Sequence, residues 1–321
     1  MTTKREYMNP IVEQRADPWI YKHTDGYYYF TASVPEFDRI EVRRSITIQG
    51  LKHAPAKTVW RKYAAGPLSA NIWAPELHYI RGKWYIYFAA ARTTETKDGL
   101  FDHRMYVLET EADNPLEGEW IEKGQVRTRW ESFALDATVF EHRGDLYYVW
   151  AQKDPAIAGN SNLYISKMHN PWTLIGEQSM ISTPEYDWEK IGFLVNEGAA
   201  VLKRNGRIFI AYSASATDHN YCMGLLSAAE DADLLDPAAW AKSPVPVFQT
   251  SEETGQYGPG HNSFTVSEEG EDVLVYHARN YKEIAGDPLY DPNRHTRAQL
   301  FGWHEDGTPD FDVPVKDHTA K

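Results

Sequence analysis

The chain has 321 residues, 42% of them hydrophobic and 13% aromatic, so it is long enough to bury a large core. Its formal net charge of −13 argues against nucleic acid or an anionic membrane surface as partner and favours a neutral ligand. No apolar run approaches the roughly eighteen residues that a membrane helix needs, and residues 1–7 are not followed by an apolar segment. We therefore expect no membrane partner and a cytoplasmic location, or secretion if a leader had been removed.

A strand–turn–strand unit with a glycine in its turn occurs five times along the chain. The turn glycines are Gly26, Gly82, Gly144, Gly206 and Gly270. A strand rich in aromatic or β-branched residues follows each glycine, as in residues 27–31 and 84–88. A residue at the entrance of each unit lies eight or nine positions before its glycine. These entrance residues are Asp17, Trp73, Asp136, Glu197 and His261.

The entrance residues follow one another at intervals of 56, 63, 61 and 64 positions. A near-regular period of this length, with several short strands in each period, is typical of a β-propeller. We predict an all-β, single-domain, five-bladed β-propeller over residues 1–321, with four antiparallel strands per blade. The predicted blades are roughly 9–66, 67–131, 132–190, 191–254 and 255–315, and the fourth strand of the last blade is expected at residues 311–315.

Three of the entrance residues are acids, and the predicted geometry brings them together. Equivalent positions in radially arranged blades converge near the axis, so Asp17, Asp136 and Glu197 should share one depression. Clustered carboxylates repel one another and are costly to desolvate, which argues for a chemical role. Hydrolysis of a glycosidic bond uses one carboxylic acid to protonate the leaving oxygen and one carboxylate to activate water or to attack. A third anion can keep its neighbour protonated.

Other residues near the predicted depression leave alternatives open. His261 lies in a glycine-rich entrance and could bind water, hold an ion weakly or contact a sugar; no metal-ligand spacing beside it suggests catalytic zinc. Trp73 belongs to the same ring of entrance positions. Phe193 could present a flat face to a sugar ring or pack between blades. Arg297 could pair with an axial acid or form a surface salt bridge.

Five short motifs, one in each blade, resemble those of glycoside hydrolase family 43, the five-bladed α-L-arabinofuranosidases, arabinanases and β-xylosidases. The motifs are Arg15-Ala-Asp17-Pro-Trp19, Asn71-Ile-Trp73-Ala-Pro-Glu76, Leu135-Asp136-Ala-Thr138, Asn196-Glu197-Gly-Ala199 and Gly258-Pro-Gly-His261-Asn262. The resemblance implies that Asp17 is the general base, that Glu197 is the general acid, and that Asp136 orients the acid and modulates its pKa. It also implies inversion at the anomeric carbon.

The resemblance extends to the surroundings of the acids. It implies that Trp73 lines the sugar pocket, that Arg297 lies beside the pKa-modulating aspartate, and that His261 is an axial histidine associated with a calcium ion or a water cluster, held directly or through water. No cofactor is expected to be required. The activity it favours is release of terminal α-L-arabinofuranosyl residues from arabinan or arabinoxylan oligosaccharides. A β-xylosidase, an endo-α-1,5-arabinanase and a non-catalytic sugar-binding propeller are the alternatives, all with an arabinose- or xylose-containing oligosaccharide as partner.

Overall fold

The computed structural model describes residues 6–318, which form strands and short 3₁₀ helices and contain no α-helix. The strands are β1 Ala16–Lys22, β2 Tyr28–Ser33, β3 Arg39–Ser45, β4 Lys57–Arg61, β5 Ala70–Ile80, β6 Lys83–Ala91, β7 Arg104–Thr110, β8 Ile121–Gln125, β9 Ala134–His142, β10 Asp145–Gln152, β11 Asn162–Asn170, β12 Thr173–Ser182, β13 Asn196–Arg204, β14 Arg207–Ala214, β15 Cys222–Ala229, β16 Ala241–Lys242, β17 Tyr257–Val266, β18 Asp272–Arg279, β19 His295–Leu300, β20 Gly302–Trp303 and β21 Pro309–Asp310. The 3₁₀ helices are Gln49–Lys52, Asp187–Glu189, Pro237–Ala239 and Pro288–Tyr290. Within residues 6–318 no helix is long and apolar enough to cross a membrane.

These strands form the five blades of a β-propeller. The first four blades are antiparallel four-stranded sheets in the orders β1–β4, β5–β8, β9–β12 and β13–β16, and the fifth contains β17–β19. The innermost strands, β1, β5, β9, β13 and β17, contact one another in a closed ring. The predicted all-β, five-bladed architecture is therefore confirmed.

The turn glycines that reveal the repeat lie between the first and second strands of the blades. In the fourth blade, Arg204 pairs with Arg207 across a two-residue turn. The turn residues Asn205 and Gly206 have φ values of 55° and 70°. Two consecutive left-handed residues are typical of a type I′ turn, whose twist matches that of the strands it joins. The recurring glycine therefore reflects the backbone geometry of a tight hairpin.

The N-terminal segment joins the first blade to the last. Val12 forms an antiparallel bridge with Thr296 of β19, and the Thr296 N–H donates to the Val12 carbonyl at 2.9 Å. This segment occupies the fourth position of the fifth blade, which we expected at residues 311–315. That stretch instead follows the small β20–β21 hairpin, and the Val315 N–H bonds the side chain of Gln299. The ring is thus closed by residues from both ends of the described chain.

The core lies within and between the blades. The inner strand β5 is buried at every position except Tyr79, and β6 is buried throughout after its first residue. Large aromatic side chains such as Trp84 and Trp150 are fully buried. The outer strand β8, by contrast, has no buried residue. Burial therefore decreases from the inner strands of this blade to its outer edge.

Candidate active site

The five entrance residues meet at one end of the propeller, as the repeat predicts. Asp17, Trp73, Asp136, Glu197 and His261 all line a single cavity of about 420 Å³. Further walls come from connections between strands and contain Phe101, Phe133, Phe193 and Leu289. The cavity therefore combines three acids at its base with a largely apolar wall, a composition typical of small-molecule sites.

Irregular backbone at the start of the inner strands directs these side chains. The pairing of β1, β9, β13 and β17 with their neighbours slips at the entrance positions. Asp17, Asp136 and His261 have φ values of 54°, 53° and 38°, in the left-handed region that non-glycine residues seldom adopt. Gly198, with φ of 59°, lies so close to His261 that a Cβ there would be 3.1 Å from the imidazole. Bulges of this kind commonly re-aim side chains next to active sites.

Asp17 is held as a carboxylate by several polar neighbours. The Ser33 hydroxyl donates to its Oδ2 at 2.5 Å, and the guanidinium of Arg294 lies 3.6 Å from Oδ1. The imidazole Nδ1 of His261 is 3.3 Å from the same oxygen. Burial alone would raise the pKa of Asp17, but the facing His261, Arg294 and His277 side chains and the Ser33 hydrogen bond lower it to about 2. Asp17 is therefore ionised across the ordinary pH range.

Glu197 has the opposite preference. Burial is the largest influence and raises the pKa of this carboxyl to about 7, with the nearby Asp17 charge acting in the same direction. The hydroxyl of Tyr221 donates to Glu197 Oε1 at 2.8 Å, which opposes the rise, as does the positive charge of Arg294. Near neutral pH, Glu197 can therefore hold a proton while Asp17 does not.

Asp136 is coupled to both acids. Its pKa lies well above the usual range, first because it is buried and then because of the negative charges of Glu197, Asp17 and Glu76. The Gly198 N–H, which bonds the Asp136 carboxyl, only partly offsets this. Two negative charges on the buried carboxyls of Asp136 and Glu197 would repel each other and lack hydration. The pair therefore tends to keep one proton.

The two aromatic residues predicted to bind sugar occupy different places in the cavity. Trp73 is 8% exposed and stacks on His103, with ring centroids 3.9 Å apart. Its buried Nε1–H has no hydrogen-bond partner within residues 6–318. Phe193 lines the cavity and is 51% exposed, so it lies where the cavity meets solvent.

The arginine beside the acids is Arg294, and the expectation for Arg297 is not met. Arg297 is fully buried away from the cavity, where its Nε and Nη2 donate to the two Asp317 oxygens at 2.7 and 2.8 Å. It also bonds the His295 carbonyl. Arg297 lies within β19, whereas Arg294 precedes this strand and lines the cavity. Arg297 therefore forms an ion pair with Asp317 away from the cavity, and Arg294 is the arginine that faces the Asp17 carboxylate.

His261 does not offer a set of metal ligands. Its Nδ1 faces Asp17 at 3.3 Å and Asp136 at 3.5 Å, and burial lowers its pKa. Among residues 6–318 there is no group of three or more His, Cys, Asp or Glu side chains placed to hold a metal ion. Calcium prefers six to eight oxygen ligands. The described residues at His261 therefore do not fit a directly coordinated calcium ion.

Several residues at the site escaped the sequence analysis. The sequence analysis assigned no site role to Tyr221, Arg294, Ser33 or His277. His277 Nδ1 accepts the Asp17 N–H at 3.0 Å, so in neutral form its proton is on Nε2. These contacts depend on how neighbouring strands pack, a feature that the repeat pattern does not contain.

Comparison with known proteins agrees with this geometry. The family model Glycosyl hydrolases family 43 matches residues 7–309. A protein of Streptomyces avermitilis named extracellular exo-alpha-(1->5)-L-arabinofuranosidase is 59% identical over 312 residues, which are 97% of this chain and 64% of that protein. A protein of the same name from Streptomyces chartreusis is 58% identical over 283 residues, covering 88% of this chain and 85% of that protein. The crystal structure of an α-L-arabinofuranosidase from Lactobacillus brevis has 60% identity and a TM-score of 0.97, with 98% of each chain covered.

Two consequences follow from these matches. The chain spans 64% of the length of its Streptomyces avermitilis relative. The expectation of a cytoplasmic location is wrong, because the two Streptomyces relatives are named extracellular enzymes and point to secretion. The family match, by contrast, covers all five blades and every motif on which the resemblance was based, and the chain belongs to glycosyl hydrolases family 43.

Proposed function

We propose that this chain releases terminal α-L-arabinofuranosyl residues from arabinan or arabinoxylan oligosaccharides by an inverting, single-displacement hydrolysis. One observation carries the proposal: Asp17 and Glu197 line the same cavity with pKa values of about 2 and about 7. A base and an acid are thus present together over a wide pH range. The names of the three similar proteins support the choice of sugar.

The reaction requires removal of one proton from the attacking water and donation of one proton to the leaving oxygen. Asp17 accepts a proton from a water molecule as that water attacks the anomeric carbon. Glu197 donates its proton to the departing glycosidic oxygen while the bond from carbon to that oxygen breaks. The products are arabinose with inverted configuration and an alcohol, and the two carboxyl groups exchange their protonation states before the next turnover.

Asp136 keeps Glu197 ready to donate. It interacts electrostatically with Glu197 and shares its burial, so loss of a proton from one of them is opposed by the other. We assign Asp136 to modulation of the Glu197 pKa and not to direct proton transfer. Its own contact with His261 Nδ1, at 3.5 Å, fixes its carboxyl beside the base.

Substrate binding falls to the wall of the cavity. Trp73 lines the cavity and offers an aromatic surface, which suits contact with a sugar ring. Phe193 lies farther out, where the remainder of an oligosaccharide would continue. We place His261 at the bottom of the same sugar-binding subsite. All these residues line one cavity of about 420 Å³, and a confined cavity favours removal of one terminal sugar over cleavage within a chain.

A substrate panel tests the proposal. The panel contains aryl α-L-arabinofuranoside, aryl β-D-xyloside, and linear and branched arabino-oligosaccharides, and the measurement is monosaccharide release. We expect arabinose from the first and from chain ends. Preferential cleavage of the xyloside would identify a β-xylosidase, internal cleavage would identify an endo-arabinanase, and binding without turnover would identify a sugar-binding propeller; each outcome contradicts the proposal.

A Glu197→Ala variant tests the assignment of the acid. Its kcat on oligosaccharides should fall by roughly 10²–10⁴-fold, the usual contribution of general acid catalysis. The loss should be far smaller on aryl glycosides, whose leaving groups need little protonation. Equal losses on both substrates would refute the assignment.

The mechanism requires no cofactor, since Asp17 and Glu197 account for both proton transfers. Extensive dialysis against EDTA should leave kcat/KM unchanged within about twofold. Loss of activity that calcium restores would show that a metal ion takes part.

A further inference from the structure

Tyr221 lines the cavity, and neighbouring residues pack tightly against its ring. It is 2% exposed, and its ring stacks on His277 at 5.7 Å with an angle of 3° between the planes. The backbone of Gly260 approaches so closely that a Cβ there would come within 2.5 Å of two ring atoms. Contacts on its ring leave Tyr221 little freedom to turn, so its hydroxyl has a defined position.

That hydroxyl is a hydrogen-bond donor to the acid. It donates to Glu197 Oε1 at 2.8 Å. Burial and the nearby acids raise the Tyr221 pKa well above its ordinary value, so the phenol keeps its proton, and the Ser213 hydroxyl acts on it in the opposite direction. Tyr221 therefore presents a fixed donor to one oxygen of the acid.

We propose that Tyr221 is a positioning residue that holds Glu197 by Oε1, so that the proton delivered to the substrate is carried on Oε2. An oxygen that already accepts a hydrogen bond from a fixed donor is poorly placed to carry a transferable proton. The free oxygen is then the one that faces the leaving group. This inference rests on the proposed function of Glu197 as general acid.

The hydrogen bond also assists the transfer itself. As the Oε2 proton moves to the glycosidic oxygen and the bond from the anomeric carbon breaks, Glu197 becomes a carboxylate. A hydrogen bond to a carboxylate is stronger than one to a neutral carboxyl, so the Tyr221 contact strengthens during the step. The same contact lowers the Glu197 pKa against the effect of burial. Tyr221 therefore makes Glu197 a stronger acid than its surroundings alone would allow.

The charged and titratable groups around this pair come from three other blades and a loop. Asp17 and Asp136 face Glu197 from β1 and β9, and Arg294 approaches from the segment before β19. His261 and His277 lie on β17 and β18. A Tyr221→Phe substitution leaves all of them in place and removes one hydroxyl, so its effect can be attributed to the hydrogen bond.

The test is the pKa of Glu197 in Tyr221→Phe, measured on the free protein by titrating the ¹³C signal of its side-chain carboxyl. The signal is assigned by its absence in Glu197→Gln. We expect the Glu197 pKa to rise by about one unit, because one hydrogen bond to the charged form is lost. The alkaline limb of kcat/KM should move upward by the same amount, and the loss in kcat should be larger on oligosaccharides than on aryl glycosides.

Tyr212→Phe is the matched control. Tyr212 is fully buried in the same blade, and its hydroxyl also donates to a buried carboxylate, Glu189 Oε1, at 2.9 Å. Its removal should change stability without moving the Glu197 titration. If Tyr221→Phe does not fold, Ser213→Ala removes the hydroxyl that lowers the Tyr221 pKa and so weakens Tyr221 as a donor; it should raise the Glu197 pKa by a smaller amount.

Two results would overturn the inference. One is an unchanged Glu197 titration in Tyr221→Phe, and the other is an equal shift in Tyr212→Phe. A rise in KM with an unchanged pH profile would instead make Tyr221 a substrate ligand, which also contradicts it. Because the titration needs no turnover, a wild-type protein that fails to cleave arabinofuranosides would refute the proposed function and leave this measurement valid.

Discussion

Replacement of Glu197 by glutamine should make the protein more stable at alkaline pH. The carboxyl has a pKa of about 7 when folded and an ordinary value of 4.5. A raised carboxyl pKa stabilises the folded state below pH 4.5, and this contribution is lost as the pH rises through 7. The difference between the two pKa values corresponds to about 3 kcal/mol in the free energy of unfolding. Glutamine carries no charge and does not incur this loss.

The assay is urea unfolding of wild type and Glu197→Gln at pH 4.5 and pH 8. The quantity to compare is the difference in unfolding free energy between the two proteins at each pH, because pH-independent changes in packing then cancel. It should shift in favour of the variant by about 3 kcal/mol between the two conditions. Glu177→Gln, at an exposed position on β12, is the control and should show no such shift. A shift of zero or of opposite sign would refute the claim that burial holds a proton on Glu197.

Three further predictions concern the base, the two arginines and ring closure. Asp17→Asn should lower kcat/KM on every substrate by roughly 10²–10⁴-fold, and an effect confined to poor leaving groups would contradict its role as base. Arg294→Ala should shift the acidic limb of the pH–kcat/KM profile to higher pH, because a positive charge 3.6 Å from the Asp17 carboxylate is lost and the Asp17 pKa rises. Arg297→Ala should leave that limb in place and destabilise the fold by about 3 kcal/mol in urea unfolding, since Asp317 loses its partner; the reverse pattern would exchange the two assignments. Deletion of residues 1–12 should lower the thermal midpoint by removing the Val12 bridge to Thr296, and an unchanged midpoint would show that this bridge does not hold the ring together.

The sequence predicts the propeller because its repeat arises from local backbone geometry. A type I′ hairpin needs left-handed residues, so the turn at Asn205-Gly206 leaves a visible mark, as do its counterparts in other blades. Counting back from that mark locates Glu197. The three acids could be found in this way because each occupies the same position in its blade.

Other parts of the site leave no such mark. Arg294 lies in a segment before β19, and nothing local distinguishes it from Arg297, which is three residues away and buried against Asp317. The direction of the Tyr221 hydroxyl depends on packing between β15, β17 and β18. The closing contact of Val12 joins residues nearly three hundred positions apart. These features arise from tertiary packing, which single-sequence patterns do not encode.

The most direct test of the mechanism is the configuration of the first product. Aryl α-L-arabinofuranoside is mixed with enzyme, and ¹H NMR spectra are recorded before the released arabinose mutarotates. Attack by water activated by Asp17, opposite a leaving group protonated by Glu197, predicts that the β-anomer appears first. Initial appearance of the α-anomer would require a covalent intermediate and would contradict the roles assigned to both residues.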